Sequence, residues 1–333
     1  MTCLDAETYT RTVPTLFSLR ICAIGCLVAF SSSFAAGQVA ADNFIVGVLQ
    51  ANGIIVPVAT YDGTRWTNSW PGPVRRPTTP PAPLEQVPRE WLAGESLVPT
   101  WRLWLPAGST HVIRVLGLQY SKTECAEIWG LTTDFPASLN VRPNSCPDPV
   151  IGIVLNTDRP VEPILPADIS RLPFAALERA FAESENREIS ASIERFPSWF
   201  VGPTDEDTRA AIPIRVERAW RTTLSSGDVL YYIEANRSYA KPAAAQDSAC
   251  PSVSAFRGWI ARDIGQEERV IDERVELTDC DFKTADTTTP TGLLQLEDGN
   301  YVIARVNGWE SQSYQILKIE SGGVIPLLES PLR

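Results

Sequence analysis

The sequence predicts a mainly β protein built from antiparallel meanders, and two observations carry this prediction. In the stretch 44–70, runs rich in Val, Ile, Thr and aromatic residues flank the dipeptides Asn52-Gly53 and Asp62-Gly63. Both dipeptides readily place a residue at positive φ, as tight hairpin turns require, so three strands are expected here. The second observation is that apolar runs punctuated by Gly, Asp or Pro turns recur in both halves of the chain.

The C-terminal part contains two sets of strand-like segments. Two folds are compatible with them: two β domains of sandwich or barrel type, and an irregular β-propeller in which the N-terminal strands complete a C-terminal blade. A chain of 333 residues is short for a propeller with an inserted helix, which favours two β domains. The first set is 212–222, 229–235, 256–262 and 269–277, and the second set is 293–296, 301–306, 314–319 and 324–328.

One short helix is predicted near 173–186, because the apolar residues there recur at helical spacing and Pro173 suits a first helical turn. Its pattern fades after Asn186. The apolar face comprises Phe174, Leu177, Ala180 and Phe181, and the side predicted to face solvent comprises Glu178, Glu183 and Glu185.

These patterns divide the chain into four parts. Residues 1–41 are expected to be a signal peptide, and 42–165 an N-terminal β domain. That domain contains a Pro-rich strap at 71–88, which should run extended over the surface because proline fixes φ and lacks a backbone donor. Residues 166–211 are expected to connect it, through the helix and several turns, to a C-terminal β domain at 212–333.

The start of the chain resembles an export signal in its layout. Arg11 and Arg20 precede the apolar run 21–30, and small residues then offer cleavage after Ala35 or Ala41. The run is too short to cross a bilayer as a mature helix. A buried N-terminal helix is the alternative interpretation. Export predicts a periplasmic or secreted protein, with no stable transmembrane segment in the mature chain.

Cleavage would leave four of the seven cysteines, Cys125, Cys146, Cys250 and Cys280. An even number in an exported chain indicates two disulfides, and four cysteines allow three pairings. Pairing of neighbours, Cys125 with Cys146 and Cys250 with Cys280, would staple each half of the chain. A zinc site formed by all four thiolates is the competing interpretation, although the spacing contains no C-x2-C pair.

Charge and motif content argue against several functions. A net charge of -11 and a pI of about 4.8 make nucleic acid an unfavourable partner. The sequence contains one histidine, His111, and lacks a P-loop, a G-x-G-x-x-G, a G-x-S-x-G and an H-E-x-x-H pattern. We therefore assign no catalytic residue, no metal ligand and no cofactor from the sequence.

Tryptophan is the one residue type that suggests a binding surface. Ten are present, and exposed indoles stack on sugar rings or on partner proteins. Because Trp101 and Trp104 are three residues apart in an expected strand, they should point to opposite faces. The other interpretation is that the tryptophans pack the core. The candidate ligand-binding residues are Trp66, Trp70, Trp101 and Trp104.

The sequence does not identify a function. It favours an exported, non-catalytic interaction or structural protein of a bacterial-type cell envelope, whose partner is another envelope protein or a glycan. The alternative is a secreted carbohydrate-binding or carbohydrate-active protein that combines tryptophan stacking with loop carboxylates, as glycosidases combine two carboxyl groups. Whether the protein is an enzyme is left open at this stage.

Overall fold

The computed structural model describes ten segments of the chain. They are residues 43–71, 82–94, 97–122, 127–137, 149–195, 200, 202–239, 252–278, 285–309 and 311–332. The predicted signal peptide and the four cysteines predicted to form disulfides lie outside these residues.

Antiparallel strands dominate the described residues, which confirms the predicted mainly β class. The helices are α1 (Phe174–Arg195) and the short α2 (Glu206–Ala210). The strands are β1 (Phe44–Gln50), β2 (Ile54–Tyr61), β3 (Trp66–Thr67), β4 (Ala82–Pro83), β5 (Thr100–Trp104), β6 (Thr110–Lys122), β7 (Glu127–Thr133), β8 (Val150–Leu155), β9 (Glu162–Pro163), β10 (Leu165–Pro166), β11 (Arg215–Thr223), β12 (Val229–Ser238), β13 (Val253–Arg262), β14 (Glu268–Thr278), β15 (Thr287–Leu296), β16 (Gly299–Asn307), β17 (Gln312–Glu320) and β18 (Gly323–Pro331).

The first sheet is barrel-like. Its strands follow the order β1-β8-β5-β6-β7-β2, and an additional pairing of β1 with β2 closes the ring. The predicted meander of 44–70 supplies β1, β2 and β3, and Gly53 and Gly63 adopt φ values of 79° and 88° in its two turns. Closure removes the free edges that an open sheet would expose.

The other two sheets are five-stranded meanders. The second sheet has the order β10-β11-β12-β13-β14, and the third has the order β18-β17-β16-β15-β9. The two predicted C-terminal strand sets therefore both form sheets. Each sheet gains one short edge strand from the segment after the barrel, since Pro163 pairs with Gly292 and Leu165 pairs with Arg221.

Alternating side chains of β1 serve two cores. Phe44, Val46 and Val48 pack against the third sheet, whereas Ile45 and Leu49 belong to the core inside the barrel. All residues of β1 and β2 are consequently buried. A strand covered on both faces has a continuous apolar sequence, as these two strands do.

The helix α1 is longer than the sequence predicts, and two of its side chains differ from the prediction. Phe174, which is predicted to lie on the apolar face, begins the helix and is 38% exposed. The helix continues past Asn186 to Arg195, and Ile189 in the added turns is buried. The prediction that Glu185 faces solvent is wrong, since Glu185 is 1% exposed. The residue packs between the helix and the second sheet, where Arg237 and Arg209 form ion pairs with its carboxylate.

The Pro-rich strap is described only in part, because residues 72–81 are outside the described segments. Ala82 and Pro83 pair with Leu118 and Gly117 of β6, and two short 3-10 helices follow. Val87 and Leu92 then insert into the barrel core. The end of the strap is therefore anchored by apolar burial as well as by its restricted backbone.

Candidate functional site

A charged groove lies on the face of the second sheet opposite α1. Its volume is about 380 Å³, within the range of small-ligand sites. Strands β11 to β14 form its floor, and the residues that lead into β15 form one wall. The lining side chains that carry charge are Arg215, Glu217, Arg218, Glu234, Arg257, Glu276 and Asp286.

Strand register explains why these residues meet. Arg218 pairs with Glu234, and Glu234 pairs with Arg257, so the three side chains form a row across β11, β12 and β13. Side chains alternate between the two faces of a strand, and the residues next to this row, such as Ala219 and Ile233, pack beneath α1. One face of the sheet therefore supports the helix while the other carries the groove.

Glu234 is the most buried acid of the groove, with 7% of its surface exposed. Its Oε1 accepts a hydrogen bond from the backbone N–H of Thr288 at 2.7 Å and one from the Tyr232 hydroxyl at 3.3 Å. Its Oε2 lies 3.1 Å from Nε of Arg218. Burial raises the pKa of Glu234 above its ordinary value of 4.5, and the Thr288 bond and the Arg218 charge only partly oppose that rise.

Glu276 joins two arginines on neighbouring strands. Its Oε1 lies 2.8 Å from Arg257 and 2.7 Å from Arg274. Arg257 and Arg274 are direct cross-strand partners, and like charges in that position repel. Arg257 also donates to the backbone carbonyl of Asp286 at 3.3 Å, which ties the groove wall to its floor.

A second hollow of about 260 Å³ adjoins the groove between the second and third sheets. Arg257 and Asp286 line both hollows. Apolar residues from the third sheet line the far side, including Val306, Leu317 and Val324. Asp272 and Arg274 also line the second hollow, so both compartments contain charged side chains. Arg257 and Asp286 lie at their boundary.

Known proteins do not identify this site. No protein-family model, no curated protein sequence and no solved structure matches the chain. Its function must therefore be argued from the residues themselves. Among the described residues, no group of three or more His, Cys, Asp or Glu side chains could hold a metal ion. No described helix combines the length and the apolar character needed to cross a membrane.

Two of the four tryptophans predicted to bind ligand lie inside the barrel. Trp101 is 1% exposed, and its indole N–H donates to the carbonyl of Val98 at 3.0 Å. Trp70 is buried as well, and it donates to the carbonyl of Trp129 at 2.8 Å. Both indoles therefore contribute apolar area and a satisfied donor to the core.

The other two tryptophans are half-buried on the outer face of the barrel, toward the third sheet. Trp66 packs edge-on against Phe44 and lies 5.4 Å from the ring of Tyr301. The indole N–H groups of Trp66 and Trp104 are buried without a hydrogen-bond partner in the described part of the chain. Trp101 and Trp104 thus lie on opposite faces of β5. The structure does not bring the four residues into one site, and their binding role stays a prediction.

The sequence analysis does not predict the groove residues, although the sequence contains a pattern that could have indicated them. Charged residues interrupt otherwise apolar strands at Arg218, Glu234 and Arg257. In a sheet that is covered on both faces, such positions would leave unpaired buried charges. Their presence could have indicated an uncovered or paired region of the sheet.

The raised pKa of Glu234 predicts a pH-dependent stability difference. The folded state holds the proton of the Glu234 carboxyl more tightly than the unfolded chain does. Glu234 therefore stabilises the folded state below pH 4.5, and this stabilisation is lost as pH rises through the raised pKa. We expect the unfolding free energy of the wild type, relative to Glu234→Gln, to fall as pH rises from 4 to 8. Urea unfolding at each pH, followed by circular dichroism, measures this difference.

Asp62 provides a control of opposite sign. Hydrogen bonds from the Thr64 hydroxyl and from the Arg65 backbone hold the pKa of its carboxyl below the ordinary 3.8. The wild type should therefore be more stable than Asp62→Asn above pH 3.8, and this difference in unfolding free energy should be lost as pH falls further. If the difference in unfolding free energy between the wild type and Glu234→Gln does not change between pH 4 and pH 8, the pKa of Glu234 is not raised by burial.

Proposed function

We propose that this chain is an exported, non-catalytic binding protein of a bacterial-type cell envelope, and that the charged groove is its ligand site. The groove itself carries the proposal. It has the volume of a small-ligand site, it contains a carboxyl group with a perturbed pKa, and neither α1 nor the third sheet covers it.

The state of the groove acids supports binding over catalysis. Glu234 accepts from a backbone N–H, a hydroxyl and an arginine, and Glu276 is shared by two arginines. A carboxylate held in this way is oriented and neutralised. Its oxygens are already engaged by protein donors, so little of their capacity is left to take a proton from a substrate or to attack one. The arrangement suits recognition by a fixed pattern of donors and acceptors.

Export is supported by the predicted leader and by the positions that flank two of the cysteines. Val253 of β13 is the direct partner of Thr278 of β14. Cys250 precedes Val253 by three residues and Cys280 follows Thr278 by two. In sequence, the two cysteines therefore flank the two paired ends of one hairpin, as the proposed disulfide between them requires.

Mass spectrometry of protein from the envelope fraction tests export. We expect a mature N-terminus at Ala36 or Asp42, together with a linked peptide pair that contains Cys250 and Cys280. Reduction should convert the intact mass to that of four free thiols. If native material has an uncleaved N-terminus and the four thiols are already free, the proposed export is contradicted.

Amide chemical shifts of the labelled mature protein test the binding site. The probes are short neutral oligosaccharides and short acidic, neutral and basic peptides. We expect a binding probe to shift the signals of Glu234, Arg257 and Glu276 and to be recovered chemically unchanged. Shifts confined to Trp66 and Trp104 would instead place the site on the barrel.

A carbohydrate-active role is the second candidate, and the pKa of Glu234 is the observation that favours it. A general acid for glycoside cleavage needs a raised pKa and a second carboxyl nearby, and Asp286 lines the same groove. Hydrolysis of an oligosaccharide probe that Glu234→Gln abolishes, with binding retained, would support this role over the first.

A further inference from the structure

We propose that the groove binds an elongated ligand bearing at least two oxyanionic groups, either carboxylates or phosphates. This inference rests on the proposed function, since it names the ligand class of the same groove. It is drawn from the exposure, spacing and donor geometry of the arginines.

In two ion pairs of this region the arginine is far more exposed than the acid it contacts. Arg218 has 47% of its side chain exposed, while the Glu234 side chain that it contacts has 10%. The same asymmetry holds for Arg274 and Glu276, with 64% and 16%. Glu234 and Glu276 therefore lie deeper than the two arginines that contact them. A ligand that approaches these two pairs meets the guanidinium groups first.

Two rim acids do not reverse this asymmetry. Glu217 forms an ion pair with Arg215 at 3.0 Å, and the Asp286 carboxylate lies 3.9 Å from Arg257. Each is already matched by an arginine. The groove lining carries three arginines and four carboxyl groups, and each of these carboxyl groups lies within ion-pair distance of an arginine.

Strand geometry sets the spacing of the cationic groups. Neighbouring strands are about 4.8 Å apart, so Arg218 on β11 and Arg257 on β13 are separated by about 10 Å at the backbone, with Glu234 between them. Arg257 lines the groove, and its cross-strand partner Arg274 lines the adjoining hollow, so the two form a close pair where the two compartments meet. Arg218 lies on one side of Glu234 and the Arg257–Arg274 pair lies on the other. An elongated ligand with two or more oxyanions would match both sides, and we infer such a ligand.

The repulsion between Arg257 and Arg274 supports a functional reason for their placement. Directly opposed like charges destabilise a sheet, and here a single carboxylate, Glu276, bridges them. An incoming oxyanion would relieve the same repulsion from the solvent side. The planar fork of a guanidinium group binds carboxylate and phosphate through two parallel hydrogen bonds. The ion pair with Glu234 engages Nε of Arg218 and leaves much of that side chain facing solvent.

Isothermal titration calorimetry of the mature protein at low ionic strength tests the inference. The probes are triglutamate, citrate and tripolyphosphate, with maltotriose as the neutral probe of similar length. We expect at least one anionic probe to bind, with affinity that falls as salt is added, and maltotriose not to bind. Comparison of the three anions separates a peptide source from a small-molecule or phosphate source.

Substitutions locate the site. Loss of a charged hydrogen bond typically lowers affinity by about ten- to a hundredfold, so we expect Arg274→Gln and Arg218→Gln each to weaken binding by that factor. Arg187→Gln is the matched control, because Arg187 is an exposed arginine paired with Glu273 on the helix side of the same sheet. Arg274→Gln should keep the fold, since Glu276 retains Arg257 as a partner. Its thermal midpoint checks this.

The outcomes separate the ligand class from the proposed function. Binding of maltotriose alone, weakened by the groove substitutions, would overturn the oxyanion class while keeping the groove as a binding site. Equal weakening by Arg187→Gln would show a general charge effect and would also overturn it. If none of the three anions binds at millimolar concentration, the oxyanion class is rejected. If no oligosaccharide, peptide or oxyanion probe shifts the amide signals of the groove residues, the proposed function itself is rejected.

Discussion

Replacement of Glu185 by alanine is expected to lower the free energy of unfolding by about 3–5 kcal/mol, the usual cost of removing one partner from a buried ion pair. Glu185 is buried between α1 and the second sheet, where it pairs with Arg237 and Arg209. Both arginines are themselves buried. Without the carboxylate, two positive charges would remain in the interior. Urea unfolding monitored by circular dichroism measures the loss.

Other contacts make the change difficult to absorb. The Tyr239 hydroxyl donates to Glu185 and lies 2.8 Å from the Ser254 hydroxyl, and the guanidinium of Arg237 lies 5.0 Å from the Phe181 ring centroid. The cluster thus ties the helix to two strands of the second sheet. Glu183→Ala is the control, because Glu183 is exposed on the same helix. A similar stability for the two variants would contradict the role assigned to the cluster.

Trp101→Ala is expected to lower the unfolding free energy by about 3–5 kcal/mol, as loss of a large buried aromatic side chain usually does. Trp101 lies in the barrel core with Leu103, Ile113 and Leu131. A closed barrel offers its lining little freedom to collapse into the space left behind. Thermal and urea unfolding of the variant measure the effect.

Trp309→Ala is the matched control, since Trp309 is 63% exposed. It should change stability by less than about 0.5 kcal/mol. Equal effects of the two substitutions would contradict the placement of Trp101 in the core. The comparison also bears on ligand binding, because any loss of glycan binding in Trp101→Ala has to be corrected for the fraction of unfolded protein.

The second sheet is the element on which the proposed function depends. One face is covered by α1, and part of the other face packs against the third sheet through residues such as Tyr232 and Trp259. The groove occupies the part that neither element covers. The Glu185 cluster holds the helix on the opposite face, so it supports the floor of the groove indirectly. The stability effect expected for Glu185→Ala and the proposed binding site therefore involve the same sheet.

Local sequence features predict the strands of 44–70 and of the two C-terminal meanders. Hairpin turns such as Asn52-Gly53 and alternating or continuous apolar runs are set by backbone conformation and side-chain burial over a few residues. For the same reason Leu177, Ala180 and Phe181 are correctly predicted on the apolar face of α1. The continuation of the helix to Arg195 is not predicted, because that part of the helix is held by contacts with a distant strand, for example between Arg187 and Glu273.

The sequence by itself determined the mainly β class, the two C-terminal meanders and the presence of a helix ahead of them. Only the tertiary structure decided that β1 closes a barrel with β2 and β8, that Glu185 is buried, and that Arg218, Glu234 and Arg257 share a groove. The physical reason is the distance along the sequence over which each kind of interaction acts. Turn and strand preferences act between neighbours in sequence, whereas the burial of a charge depends on partners such as Arg237, 52 residues away.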